Sequence, residues 1–115
     1  MTKPVGPYTP VVRSGDVLYV SGQVGIADGA LVAGGLDAEV VQAMANLKSQ
    51  LEANGSELTD LIKTTLFLVD MDDYARVNEL YVEALGDHRP ARSCVAVAAL
   101  PIRASFEIEA IATAH

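Results

Sequence analysis

The chain has 115 residues and a mass of 12.1 kDa, half of it apolar (50%) and 20% charged, enough for one domain with a buried core. Fifteen acidic residues against eight basic ones leave a net charge of −7 and a pI near 4.6, which gives nucleic acid no cationic footprint to bind. One cysteine closes no intrachain disulfide and suits a reducing compartment, while apolar runs such as Cys94–Leu100 fall far short of the roughly 18 residues a membrane span requires. Nor does the opening Met1–Pro7 carry the apolar stretch of a signal peptide. We expect a single acidic, cytoplasmic domain over residues 1–115, with neither a membrane nor a nucleic acid as partner.

Taken in chain order, Pro4, Pro7 and Pro10 favour an extended lead-in over a helix. Val11-Val12-Arg13 and Asp16–Ser21 flank Ser14-Gly15 and read as a β-hairpin; Asp28-Gly29 is a second turn, between Val24-Gly25-Ile26 and Leu31-Val32. From Ala38 to Ala53 the apolar residues Val40, Val41, Met44, Leu47 and Leu51 recur at spacings of three and four, one face of a helix. Asp37 is its expected N-cap and Gly55, after Asn54, its stop. Ile62 to Val69, rich in β-branched and aromatic residues, predicts a strand. Asp70 to Asp73 can cap a second helix carrying Tyr74, Val77, Leu80, Tyr81 and Leu85 at helical spacing, which Gly86 ends. Residues 93–98 and 105–113 read as two closing strands.

This order, β-β-(β)-α-β-α-β-β, predicts an α+β fold in which two helices lie on one face of a mixed sheet. Strand 62–69 and strand 93–98, joined through the second helix, should run parallel. The strands carry apolar residues on both faces. Ile62, Thr64, Leu66 and Leu68 alternate with Lys63, Thr65, Phe67 and Val69, and Leu18 and Val20 with Val17 and Tyr19. Two helices of this size cover one face. The other would lie bare in a monomer unless loops fold over it, which points to an oligomer with its sites near the seams.

Recognisable cofactor chemistry is missing. The glycines Gly22, Gly25, Gly29, Gly34 and Gly35 do not make a phosphate-loop or dinucleotide spacing, and His88 and His115 have no ligand partner or triad spacing. Attention falls on Pro90 to Glu109. Arg92 begins a strand that is otherwise small and apolar, so it is either a snorkelling surface residue or a fork aimed at an anion. Cys94 is either a small core residue or a reactive thiol. Glu107 and Glu109 point away from the Phe106–Ile108 face. Their face is solvated, or, if it is the oligomer interface, holds a carboxylate that needs a partner or a task.

The same segment carries a family likeness. Gly6-Pro7-Tyr8, Ser21-Gly22-Gln23, Asn46-Leu47-Lys48, Lys63-Thr64-Thr65, Val77-Asn78, Pro90-Ala91-Arg92-Ser93-Cys94-Val95, Leu100-Pro101 and Glu107-Ile108-Glu109-Ala110-Ile111-Ala112 fall in an order that resembles the RidA (YjgF, reactive-intermediate deaminase) family across nearly the whole chain. The resemblance implies a chorismate-mutase-like fold and a homotrimer with clefts at the subunit interfaces. It further implies hydrolysis of 2-imino acids, and of the enamines that tautomerise to them, to 2-oxo acids and ammonia without metal or organic cofactor.

Carried over residue by residue, it makes Arg92 the bidentate holder of the substrate carboxylate and Glu107 the general base for the attacking water. Tyr8, Ser21, Gly22, Asn78 and Cys94 would line the cleft, Cys94 as a contact because imine hydrolysis needs no covalent intermediate. This sequence departs from the family in its short Val24–Ala30 loop, in Ala96 where many members have glutamate, and in Ile102-Arg103 where a basic-Gly turn is common. A carboxylate-metabolite-binding trimer without catalysis is the alternative of another class. A ribonuclease, a third reading attached to relatives, is disfavoured by the −7 charge.

Overall fold

The structure, a computed structural model, describes residues 4–115, so Met1-Thr2-Lys3 of the opening segment lie outside it. A five-stranded sheet is built from β1 (Val11–Ser14), β2 (Val17–Gln23), β5 (Leu61–Leu68), β6 (Ala91–Ala96) and β7 (Phe106–Thr113) in the order β1-β2-β7-β5-β6. β5 and β6 run parallel and the other pairs antiparallel, so the sheet is mixed. A two-stranded hairpin, β3 (Ile26–Ala27) with β4 (Ala30–Leu31), leads into α1 (Gly35–Ala53), and α2 (Tyr74–Leu85) makes the crossover from β5 to β6.

Both helices lie on the sheet face that presents Leu18, Val20, Leu66, Ile108 and Ala112. Val40, Met44, Leu47 and Leu51 of α1 and Val77, Leu80, Tyr81 and Leu85 of α2 fill the space above it, as the three-and-four spacing requires. On the opposite face Tyr19 is 49% exposed and Val95 43% exposed, alongside the partly covered Thr65, Phe67 and Ile111. Cross-strand partners (Tyr19 with Ile111, Phe67 with Glu107 and Val95) place these side chains together on the face that neither helix covers.

Several expectations are corrected. α1 begins three residues before Ala38, at Gly35, after Gly34 in a left-handed conformation at φ 113°. Asp37 is therefore not the N-cap; it sits in the first turn and receives the Nε and Nη2 of Arg76, at 3.0 and 2.6 Å to Oδ2, from α2. The long-range fork won over local capping, and it holds the Asp37 carboxyl below the usual carboxylate range. Ile62 does not share a face with Thr64. The pairing slips between Leu61 and Lys63, so Leu61 is buried and Ile62 faces out, 45% exposed. β6 starts at Ala91, two residues earlier than expected, because its pairing with β5 begins at Lys63–Ala91. The helix ends are as expected, with Gly55 at φ 77° and Gly86 at φ 63°.

Candidate functional site

Arg92 is the second residue of β6, paired with Thr64 on the sheet face that carries the helices. There α2 presents Tyr74, Asn78 and Tyr81, spaced four and three apart along one helical stripe. The guanidinium lies over both rings, 5.5 Å from the Tyr74 centroid and 5.1 Å from that of Tyr81. Its Nη1 donates to Asn78 Oδ1 at 2.8 Å and its Nη2 to the Tyr74 hydroxyl at 2.9 Å. Tyr81 is fixed in turn by a buried 2.7 Å hydrogen bond with Thr64 Oγ1. No carboxylate pairs with Arg92 among the described residues. A planar cation is thus held by neutral groups with its charge uncompensated, the arrangement an incoming anion needs. Beside it opens a pocket of about 270 Å³ bounded by Asn78, Tyr81, Val82, Arg89, Pro90 and Arg92.

Glu107 lies elsewhere. It is on the bare face of β7, opposite Phe67. Along β2 the pairing with β7 slips between Val20 and Gln23, so Ser21-Gly22 carries an extra residue and bulges away from the ladder. The Glu107 side chain crosses the bulge directly over Gly22: a Cβ built there would overlap Oε1 and stand 2.7 Å from Cδ. Ser21 is used twice to tie down the lead-in. Its N–H donates to Pro10 O at 2.9 Å and its hydroxyl to Thr9 O at 2.7 Å, which brings Tyr8 to the rim. Tyr8, Ser21, Gly22, Pro101 and Glu107 line a second pocket of about 220 Å³. The Glu107 carboxylate has no hydrogen-bond partner among the described residues. Burial, and then the negative charge of Glu109, push it above the ordinary glutamate range. A carboxylate so placed accepts a proton more readily than a solvated one.

The two pockets share no lining residue. Of the residues singled out in the sequence, one chain groups Arg92 with Asn78 and groups Glu107 with Tyr8, Ser21 and Gly22. It does not bring Arg92 to Glu107, which stand on opposite sides of the same sheet. Asn78 touches Arg92 itself, a holding role that the sequence pattern did not separate from lining a cleft. Cys94 lines neither pocket. It packs against the core, where burial pushes its thiol up against the pull of Arg92, so it is no activated nucleophile. The histidines bond the start of β5, His88 to Leu61 O and His115 to the Asp60 carboxylate, and line neither pocket. The helical spacing of Tyr74 and Tyr81 does not by itself separate core-facing rings from rings that also clasp a cation; the sequence signal for the clasp is Asn78 on the same stripe, facing a strand with an arginine near its start.

A mixed sheet with two helices on one face, and a cation and a carboxylate on opposite sides of it, defines an α+β protein with two separate polar pockets. The family profile described as Endoribonuclease L-PSP matches residues 1–114, and the chain belongs to that family, which is the RidA/YjgF family. It is 43% identical over 112 residues to a RutC family protein of Pyrococcus horikoshii, covering 96% of this chain and 89% of that one. To the 2-iminobutanoate/2-iminopropanoate deaminase of Mus musculus it is 44% identical over 110 residues, 94% of this chain and 82% of that protein. The crystal structure of RidA from the Antarctic bacterium Psychrobacter sp. superposes with a TM-score of 0.93 at 38% identity, covering 96% and 91% of the two chains.

Proposed function

We propose that the protein is a hydrolytic deaminase of small 2-imino acids, such as 2-iminobutanoate and 2-iminopropanoate, and of the enamines (2-aminoacrylate among them) that tautomerise to these. It would work without a cofactor as a cytoplasmic homotrimer whose clefts lie between subunits. The observation that carries this reading is the division of the site: an uncompensated Arg92 and an unpartnered Glu107 lie on opposite faces of one sheet, next to an uncovered apolar face. A second copy packed on the bare face would bring its own Arg92 half to this chain's Glu107 half.

In the cleft Arg92 would take the substrate carboxylate through the donors that Asn78 and Tyr74 leave free, a charge-assisted pair worth about 1.5–3 kcal/mol. The carboxylate fixed in this way sets C2 of the imine before Glu107. Water adds to C2 as Glu107 accepts its proton and passes it to nitrogen, giving a carbinolamine; the carbinolamine hydroxyl then gives its proton through Glu107 to the same nitrogen as C=O forms and the C–N bond breaks, so that a 2-oxo acid and ammonia leave. Nothing is oxidised or reduced. The thiol of Cys94 takes no part, while the backbone of β6, the outer strand of the sheet beyond β5, offers polar groups along its free edge.

The test generates 2-iminobutanoate with a dehydratase and follows its disappearance. Arg92→Ala and Glu107→Gln should each reduce turnover at least tenfold, and normal activity in Arg92→Ala would remove the mechanism. Mixing the two inactive variants and reassembling them should restore about a quarter of the sites, because one interface in four then joins a sound Arg92 to a sound Glu107. No recovery on mixing would place both residues of each site in one chain. Binding of 2-oxo acids with imine decay no faster than in buffer would assign a metabolite-binding trimer instead.

A further inference from the structure

The pocket beside Arg92 has a second cation on its wall. Arg89 lies three residues earlier, at the exposed approach to β6, and shares the pocket of about 270 Å³ with Arg92, Asn78, Tyr81, Val82 and Pro90. No carboxylate pairs with it among the described residues. Its Nη1 donates to Gly86 O at 2.6 Å and to His88 O at 2.9 Å, which anchors the side chain on the carbonyls that follow α2. That leaves Nε and Nη2 free, the edge of a guanidinium that meets a carboxylate side-on through two parallel N–H···O bonds. Burial pushes the Tyr81 hydroxyl up, and the charges of Arg92 and Arg89 both act against that rise from the same cavity. In a chain of net charge −7, two unneutralised arginines on one pocket stand out, whereas Arg76 is paired twice with acids. A ligand with a single carboxylate satisfies only one of them.

We propose that Arg89 is the second anchor of the substrate, and that the chain prefers 2-imino acids carrying a second carboxylate on the side chain, with the corresponding 2-oxo dicarboxylic acids as products. Arg92 takes the carboxylate next to the reacting carbon and Arg89 the distal one. Val82 and Pro90 supply apolar wall for the methylene between them. The reaction that supplies such a substrate is the oxidation of an amino dicarboxylic acid, or the elimination of a leaving group from one. This inference rests on Arg92 being the carboxylate site of the proposed function.

Calorimetry with the inert product analogues 2-oxoglutarate, oxaloacetate and 2-oxobutanoate tests it at fixed ionic strength. Wild type should bind at least one dicarboxylic acid ten or more times tighter than 2-oxobutanoate, and Arg89→Gln should reduce that ratio below about three. Should the loss of the Gly86 and His88 contacts unsettle the fold, Val82→Asp keeps Arg89 and sets a competing carboxylate on the same wall, with the same expected loss of preference. Equal affinities in wild type, no binding of any of the three acids, or an unchanged ratio in both variants would overturn the proposal. Because binding is read rather than turnover, a protein that hydrolyses no imine but shows the preference would sink the deaminase reading, and with it the imine substrate, while leaving Arg89 as the second carboxylate anchor of the pocket. Monocarboxylate binding that survives Arg92→Ala would remove the site on which both readings depend.

Discussion

A carboxylate half-buried beside a second carboxylate, as Glu107 is beside Glu109, keeps its proton to higher pH than a solvated one. Two consequences follow for the side chain. As a base, Glu107 is lost when pH falls through its raised pKa, so the acid limb of kcat/KM should lie above the ordinary glutamate value. Glu109→Gln removes the like charge and should move that limb to lower pH, while burial keeps it from returning fully; a profile unmoved by Glu109→Gln would mean that the limb belongs to another group. As a folded-state group, a raised carboxyl favours the native state below its unfolded pKa, and that support is lost as pH rises through the folded value. Glu107→Gln should therefore melt at a higher temperature than wild type at neutral pH while turning over substrate poorly, the trade expected of a group kept for chemistry. Gly22 belongs to the same site. In Gly22→Ala the new methyl meets the Glu107 side chain from Oε1 back to Cγ, so the carboxylate swings aside: kcat should fall about tenfold or more with little change in Tm. A Tm loss matching the loss of rate would make Gly22 merely structural.

At the scale of elements, the turn before β7 holds stored strain. Ile102 and Arg103 follow each other with φ 53° and 61°, a left-handed conformation that L-residues avoid and β-branched ones most of all. Pro101, at the start of this turn, lines the Glu107 pocket. Ile102→Gly should relieve the strain and stabilise the protein by up to about 1 kcal/mol after the extra chain entropy of glycine is counted. Denaturant unfolding reads it, and a destabilised variant would show that the Ile102 side chain contributes packing that outweighs the strain. The basic-Gly turn that the family resemblance leads one to expect here made the departure visible in the sequence, but not that both Ile102 and Arg103 would adopt positive φ. The helices and strands were legible because most of their apolar periods agree with burial, Val40, Met44, Leu47 and Leu51 in α1 and Thr64, Leu66 and Leu68 in β5; Val41, expected on the same helical face, is 58% exposed because it lies one residue round from Val40. Asp37 and Ile62 were misplaced for a common reason: each is decided by a partner far along the chain, Arg76 in one case and the slipped pairing with β7 in the other. The site was legible as a set of residue types and not as a place. Alternation put Glu107 on the face away from Phe106, but only the register Thr64–Arg92 fixed Arg92 on the other side of the sheet.

For the molecule as a whole, the proposed assembly turns on the sheet face that the helices leave free. Phe67 and Tyr19 lie on it with Val95 and Ile111, away from the core that the helices close. A charge there leaves the core untouched: Phe67→Asp should keep the circular dichroism of wild type, sediment as a single chain, and lose activity although every residue of the proposed site is intact. A variant that stays assembled and active would put the interface elsewhere. Arg92 and Glu107, separated by the thickness of one sheet, also carry a kinetic signature. An enzyme whose site is complete within one chain loses rate in simple proportion as it is diluted. In the proposed trimer the specific activity of each chain should itself decline with dilution once the subunits part, though every chain stays folded. The amount of protein a cell makes would then set both how many sites exist and whether any is whole.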